Sequence, residues 1–449
     1  MDPIIAKYAT ARAPRYTSYP TAPHFQTGFA EATYRAWLAE LDTDQPISLY
    51  LHVPFCRRMC WYCGCSMKLV RRYGPVADYV DTLAAEIDLL ADALPDRMTV
   101  GHIHWGGGTP TVLSPDDLCR AMSMLRRRFL LRSDAEIAVE IDPRTLTDTM
   151  VAMLGDLGFS RASLGVQEFD PTVQKAINRE QPFSLVAEAT ENLRAAGVSA
   201  INFDLMYGLP FQTATTVTAT IDRAARLRPD RVALFGYAHV PWMAKNQRMI
   251  PEHALPSAAE RMDQAGKAAD RLVSLGYCRI GLDHFALPDD PMAKAARKRS
   301  LRRNFQGYTT DAEETLIGLG ASSIGALPQG YVQNTAETGA YARAVEAGVL
   351  PVAKGRVLTG DDRLRRSVIE RLMCDLQVDL VHEARRYGAP PDLFAPELDR
   401  LRGMQRDGLI RLADGVVTIT EAGRPVMRTV AAVFDAYLDK LGARHSKVA

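Results

Sequence analysis

The chain has 449 residues, with 54 basic against 53 acidic side chains and 47% hydrophobic content. That length holds two or three domains, and the balanced charge argues against nucleic acid or an anionic membrane as a partner. The longest apolar runs are strand-sized, too short to span a bilayer. Met1–Lys7 contain no h-region of signal-peptide length, so a cytoplasmic protein is expected. Residues 1–45 read as an N-terminal arm, because Ala13–Pro23 carries three prolines and no hydrophobic period.

The first regular element is Ile47–Val53, a short apolar run that reads as a buried strand. It leads into Cys56-Arg57-Arg58-Met59-Cys60-Trp61-Tyr62-Cys63-Gly64-Cys65. The Cys-x3-Cys-x2-Cys spacing of Cys56, Cys60 and Cys63 puts three thiolates around one small volume. A cubane iron–sulfur cluster held by four thiolates is closed, whereas three leave one iron open to a ligand. Structural zinc normally takes four ligands in two separated pairs, and no second pair follows. An odd count of seven cysteines in a long chain also speaks against a disulfide framework. Cys65 reads as a spare thiol beside the cluster rather than as a ligand, its role left open by the spacing. Cys119, Cys278 and Cys374 are scattered and read as core thiols.

From 46 to 285 strand and helix patterns alternate. Further strands are expected at Val100–His104, Glu136–Glu140, Ala162–Val166, Ala200–Leu205 and Arg231–Tyr237. Helices are expected at Val76–Leu90, Pro115–Arg128, Thr147–Leu157, Ser184–Ala196, Val217–Leu227 and Pro256–Leu275. Such alternation predicts parallel strands with right-handed crossovers. Six units are visible where a closed barrel needs eight, so a partial barrel of the α/β class is expected. Sites collect at the carboxyl ends of such strands. There lie Gly106-Gly107-Gly108-Thr109, whose glycines permit close backbone approach to a ligand. No Lys-Ser/Thr follows them, which rules out a P-loop. Glu140 closes the third strand, Gln167 the fourth and Asp204 sits in the fifth. A strand-end carboxylate suits the two hydroxyls of a ribose. In isolation each of these has a plain reading as a cap or a barrel hydrogen-bond partner.

Residues 286–358 read as a segment covering the barrel, with Asn304–Thr310 and Gly318–Gly325 expected as loops. Residues 359–449 read as a mainly helical domain. The order helix, Leu409–Leu412, turn at Asp414-Gly415, Val416–Ile419, helix resembles a winged-helix module. It lacks a basic stripe, so packing or partner contact is expected rather than DNA binding.

Four pieces carry a closer likeness: Pro14-Arg15-Tyr16-Thr17-Ser18-Tyr19-Pro20-Thr21, Cys63-Gly64-Cys65, Gly281-Leu282-Asp283-His284-Phe285-Ala286, and Arg303-Asn304-Phe305-Gln306-Gly307-Tyr308-Thr309-Thr310. With the three-cysteine loop, residues 47–280 resemble the radical S-adenosylmethionine (SAM) superfamily. Nearly the whole chain resembles the oxygen-independent coproporphyrinogen III oxidases. The resemblance implies a 4Fe-4S cluster on Cys56, Cys60 and Cys63, with SAM on the open iron near Tyr50, Gly107, Glu140 and Ile324. It implies a second SAM near Tyr62, Gly108, Thr109, Gln167, Arg179, Asp204 and Ala238. The implied reaction turns two propionates of coproporphyrinogen III into vinyl groups through a 5′-deoxyadenosyl radical, giving protoporphyrinogen IX. Flavodoxin or ferredoxin is the implied electron donor. Arg15, Arg302 and Arg303 are candidates for the substrate's carboxylates. The alternatives are a haem-binding carrier on the same barrel, or another radical SAM tetrapyrrole enzyme. The Arg15–Thr21 arm and the Gly64-Cys65 pair speak against the carrier. No long exposed apolar stripe or heptad seam is evident, so a monomer is expected.

Overall fold

The computed structural model describes residues 3–9, 11 and 13–438. The outer ends of the arm expected over 1–45 and of the domain expected over 359–449 lie outside the described residues. Apolar and β-branched residues make Ile47–Val53 strand β1, with every residue but Tyr50 buried. Burial on both faces is what a parallel sheet covered by helices demands. Beside it run β2 (Thr99–Gly107), β3 (Leu130–Ile141), β4 (Arg161–Gln167), β5 (Ala200–Tyr207) and β6 (Arg231–Gly236). All five neighbouring pairs are parallel, with Leu49 opposite Ile103 and Phe203 opposite Val232 among the registers.

The crossovers are α1 (Gly74–Ala91), α2 (Pro115–Arg128), α3 (Asp148–Asp156), α4 (Phe183–Ala195) and α5 (Ala214–Arg226), and α6 (Ala258–Ser274) follows β6. Side-chain caps fix where several of them begin. Ser114 accepts from the Asp117 amide, and Thr147 accepts from the Met150 amide. Thr213 and Ser257 open full capping boxes. Each such cap is worth about 1 kcal/mol. One core joins strands and helices, from Leu49, Leu51 and Trp105 to Phe203 and Leu272.

A seventh parallel strand, Thr315–Leu319, flanks β1 with Ile317 opposite Leu49. Beyond it the sheet turns antiparallel through Ile324–Leu327, Gly330–Asn334, Val352–Val357 and Gln26–Thr27. At the other edge His284–Ala286 and Cys278–Ile280 follow β6. The barrel is therefore open, as expected. The stretch Gly318–Gly325, expected as a loop throughout, is a turn only at residues 320–323, and its two ends belong to paired strands. Its glycines serve close packing: a Cβ on Gly318 would stand 2.8 Å from the backbone carbon of Ile324. Most of Asn304–Thr310 is likewise a hairpin, Arg302–Asn304 against Gly307–Thr309.

The C-terminal part has its own core around Leu364, Leu372, Phe394, Leu401, Val417 and Phe434. Helix Gly360–Asp375 starts at a capping box on Thr359. A three-stranded sheet joins Gln377–Asp379, Val416–Ile419 and Ile410–Ala413. The arm is anchored on this domain by Tyr16 and Tyr19, 4% and 1% exposed. Burying each ring stabilises the arm by on the order of 2–3 kcal/mol. The Tyr16 hydroxyl donates to Asp435 (3.0 Å) and Arg428 donates to the Ala13 carbonyl (3.1 Å). Helix Glu31–Ala39 packs Trp37 and Leu38 into the barrel core instead. No helix among the described residues is long and apolar enough to cross a membrane.

Candidate functional site

The cysteine loop hangs from the carboxyl end of β1. Phe55–Cys56 pairs in parallel with Lys68–Leu69 and closes the loop at its base. Its carbonyls are then taken up from outside. Asn246 Nδ2 donates to the carbonyls of Cys60 (3.1 Å) and Cys63 (2.8 Å), and Asn178 Nδ2 to that of Met59 (2.7 Å). Gln247 Nε2 joins the carbonyls of Tyr62 (2.8 Å) and Ala238 (3.2 Å). Fixing the backbone this way fixes where the thiols stand.

Each of the three thiols has a partner suited to holding negative charge. Arg144 Nη2 and Arg179 Nη1 donate to Cys60 Sγ at 3.1 and 3.2 Å. Thr109 Oγ1 lies 3.4 Å from Cys56 Sγ, and the Cys65 amide donates to Cys63 Sγ at 3.4 Å. The hydrogen bond from the Cys65 thiol outweighs burial and lowers Cys63 to about 7. Burial without a cation raises Cys56 to about 11. Both arginines also share Asp142, at 2.6 and 3.3 Å. Burial pushes the Asp142 carboxyl up, but the charge of Arg179 and the bonds from Arg144 bring it below its ordinary range.

This donor set fits a cluster better than a single ion. Among the described residues, three or more ligand atoms all within 4.8 Å of one another occur only at His102, Asp311 and Glu313. At least one pair of the three cysteine sulfurs therefore stands wider than the spacing of about 3.8 Å that zinc–sulfur bonds of about 2.3 Å impose. Three thiols on one loop with wider spacing suit a polynuclear cluster with one open position.

One strand away, the ring of Tyr50 stacks on His104 (centroids 5.8 Å apart), and His104 Nε2 meets Glu140 Oε1 at 3.2 Å. The Gly107 amide donates to Glu140 Oε2 at 3.1 Å. Burial raises the Glu140 carboxyl, yet the bonds and charge from His104 and the Gly107 amide leave it lowered overall. Ile324 and Tyr50 border the same apolar cluster, so Tyr50, Gly107, Glu140 and Ile324 do come together. The glycines earn a further reason here. A Cβ on Gly107, whose φ is +113°, would stand 2.6 Å from the His52 ring, and one on Gly108 2.6 Å from the Phe55 carbonyl oxygen. Their amides are engaged within the chain: Gly108 to Val53 O (2.9 Å) and Thr109 to Phe55 O (2.8 Å). Their close approach serves the cysteine strand itself.

The remaining expected contacts face the middle of the mouth. Arg179 Nη2 donates to the Gly165 carbonyl at 2.5 Å, and a Cβ on Gly165 would meet both Arg179 Nη2 and Gln167 Nε2. Gln167 stands at φ +66°, a left-handed turn out of β4. Asp204 lies opposite Gly165 in the ladder and accepts from Ser163 Oγ and Asn202 Nδ2, both at 3.0 Å. Burial, then the charge of Glu140, raises it to about 6. Tyr62 sits above Ala238 through Gln247, and burial raises its phenol well above the usual value.

The three candidate arginines divide. Arg15 Nη2 donates to the Gly236 carbonyl (3.0 Å) at the end of β6. Arg302 pairs with Glu370 (3.2 Å), while Arg303 donates to the Arg15 carbonyl (3.1 Å) and covers the Tyr308 ring. Arg302 and Arg303 thus tie the arm to the C-terminal domain. Sequence reasoning did not single out Arg144, Asn246 or Gln247. Arg144 follows Asp142-Pro143 directly, which was a usable signal, whereas Asn246 and Gln247 lie in the short 3-10 helix Lys245–Met249, which carries no motif.

The radical SAM superfamily model matches residues 50–224, and the HemN C-terminal domain model matches 358–426. The chain is 51% identical over 444 residues to the oxygen-independent coproporphyrinogen III oxidase of Bradyrhizobium diazoefficiens, covering 99% of both chains. It is 38% identical to the Escherichia coli protein of that name, over 97% of this chain and 95% of the other. It also superposes on the crystal structure of Escherichia coli coproporphyrinogen III oxidase (HemN), described as a radical SAM enzyme, with TM-score 0.90. That match covers 94% of this chain and 98% of the other at 38% identity.

Proposed function

The chain belongs to the oxygen-independent coproporphyrinogen III oxidases of the radical SAM superfamily, and from that premise we propose that it converts two propionate side chains of coproporphyrinogen III to vinyl groups, giving protoporphyrinogen IX. Cys56, Cys60 and Cys63 hold the 4Fe-4S cluster in this reading. Tyr50, Gly107, Glu140 and Ile324 border SAM on the open iron, and Tyr62, Gly108, Thr109, Gln167, Arg179, Asp204 and Ala238 border a second SAM. When bound, cluster and SAM would supply radical chemistry at the mouth able to remove hydrogen from a propionate β-carbon, the carboxylate then leaving as carbon dioxide and one electron passing to an external acceptor.

The chain's own residues bind, orient and shield. Arg144 and Arg179 neutralise the Cys60 thiolate and Asp142 in a buried setting, where such bonds are at their strongest. Glu140, kept ionised by His104, accepts from hydroxyl or ammonium donors at the mouth. Asn246 and Gln247 keep the loop's carbonyls away from water. An electron-donor protein of the flavodoxin or ferredoxin kind completes the cycle. The observation that carries the reading is the convergence of two guanidiniums on Cys60 beside the Tyr50–Glu140–Gly107 cradle.

The test is an anaerobic assay of cluster-reconstituted protein with dithionite, SAM and coproporphyrinogen III. 5′-Deoxyadenosine and protoporphyrinogen IX are both expected, and both are lost in Cys60→Ala. Deoxyadenosine without a vinyl product rejects the substrate. Neither product from protein with an intact iron–sulfur spectrum favours a haem carrier.

A further inference from the structure

Between the end of β6, α6 and the C-terminal domain lies a cavity of about 510 Å³. Four arginines reach it from four separate elements: Arg15 from the arm, Arg261 from α6, Arg279 from Cys278–Ile280, and Arg428 from helix Met427–Ala432. Two carboxylates, Asp270 and Asp283, share the wall, and Asp283 is already taken by His284 at 2.8 Å. The guanidiniums therefore outnumber the available acids. We propose that this cavity is the subsite in which the substrate's non-reacting side-chain carboxylates are seated, with Arg15, Arg261, Arg279 and Arg428 as its specificity-determining residues. The proposal rests on the coproporphyrinogen reading and deepens it.

Three observations support it. The Nε atoms of Arg261 and Arg279 are buried with no hydrogen-bond partner, an expensive state for a guanidinium and one that an incoming carboxylate ends. The rest of the wall is apolar or aromatic, including Leu234, Tyr237, Trp242, Met262 and Phe285. A pyrrole ring carrying carboxylates presents the same mixture, and the volume lies in the range of small-molecule sites. The cavity also abuts the support of the cysteine loop, since Gln247 bridges the carbonyl of Ala238 in its wall and that of Tyr62 in the loop. Burial lowers Arg261, Arg279 and Arg428, and Arg15 adds to the effect on Arg261 and Arg428. Such mutual repulsion is relieved when an anion binds.

By contrast, Arg302 and Arg303 line a separate cavity of about 400 Å³, where they are bound to Glu370 and the arm. They position the arm that carries Arg15.

The experiment titrates full-length protein with coproporphyrin III and with its uncharged tetramethyl ester, read by porphyrin fluorescence. Wild type, Arg279→Gln, Arg261→Gln and Arg261→Lys are compared, each qualified by a melting temperature close to wild type. Roughly tenfold or more weaker binding of the tetra-acid is expected in the two Gln variants, with binding of the ester unchanged. In turnover KM rises with kcat largely kept, and Arg261→Lys recovers part of the loss. Gln variants with wild-type affinity and KM overturn the subsite and leave the proposed reaction standing. A wild type that neither binds the tetra-acid nor consumes coproporphyrinogen III overturns both.

Discussion

At the amino end of the barrel strands Arg161 meets Glu136 (3.1 Å) and Arg231 meets Asp290 (2.8 Å), while at the carboxyl end Arg144 and Arg179 share one acid, Asp142, and turn towards Cys60. The floor sets two cations against two anions, and Asp290 also caps helix Pro291–Arg297. Around Cys60 two guanidiniums face the single acid Asp142, a local surplus that the cysteine thiolate balances only once it ionises. Both ends bury charge in the same strands, but one end is complete in itself and the other awaits an anionic guest. Buried charge at the floor thus acts on folding, and buried charge at the mouth acts on loading.

The largest expected effect lies at the floor. Arg231→Met leaves Asp290 with Arg161 alone, at 3.9 Å, and should cost about 3–5 kcal/mol of stability in urea denaturation. Iron bound per folded molecule should not change. A parallel loss of iron binding would break the contrast, because it would make the floor part of the loading machinery.

At the mouth the order reverses. Arg179→Gln removes the donor to Cys60 and the bond to Gly165, so iron retention under a chelator challenge should fall by about 10- to 100-fold. Arg179→Lys should restore little, because one ammonium cannot span Cys60, Asp142 and Gly165 as a fork does. Unchanged iron retention in both variants would assign the arginine to packing alone.

How far the sequence revealed all this follows from the range of each interaction. The six barrel strands and the cysteine loop were legible because local period and spacing encode them. In Gly318–Gly325 the turn at residues 320–323 was legible and the strand ends around it were not, because small residues mark turns and close strand packing alike and only the partner strand distinguishes them. Glu140 and Asp204 were visible as strand-end acids, yet their opposite pKa shifts depend on His104 and on burial, which lie across the sheet. Arg144, Asn246 and Gln247 hold the loop from far along the chain, and of the three only Arg144, beside Asp142-Pro143, has a local signal. Arg261 and Arg428 were invisible as a pair because separate domains bring them to one cavity.

The smallest predicted effect separates the two acids of the mouth. Burial and the charge of Glu140 raise Asp204 to about 6, from an ordinary value of 3.8. Between those values the folded protein keeps a proton that the unfolded chain has released, so stability falls as pH rises through that window. Asp204→Asn removes this slope in the cluster-free protein. The variant should therefore gain on wild type by about 1 kcal/mol per pH unit between roughly pH 4 and pH 6, then run parallel above it. Glu140 has the opposite sign, since its lowered pKa contributes stability that is lost as the pH falls through its folded value. Glu140→Gln should accordingly lose ground to wild type as pH rises through the acid range, where Asp204→Asn gains it. Parallel curves for the two variants would mean that the two carboxyls are not shifted in opposite directions. Diverging curves would show that Glu140 holds its charge through the acid range while Asp204 ionises only as the pH approaches about 6.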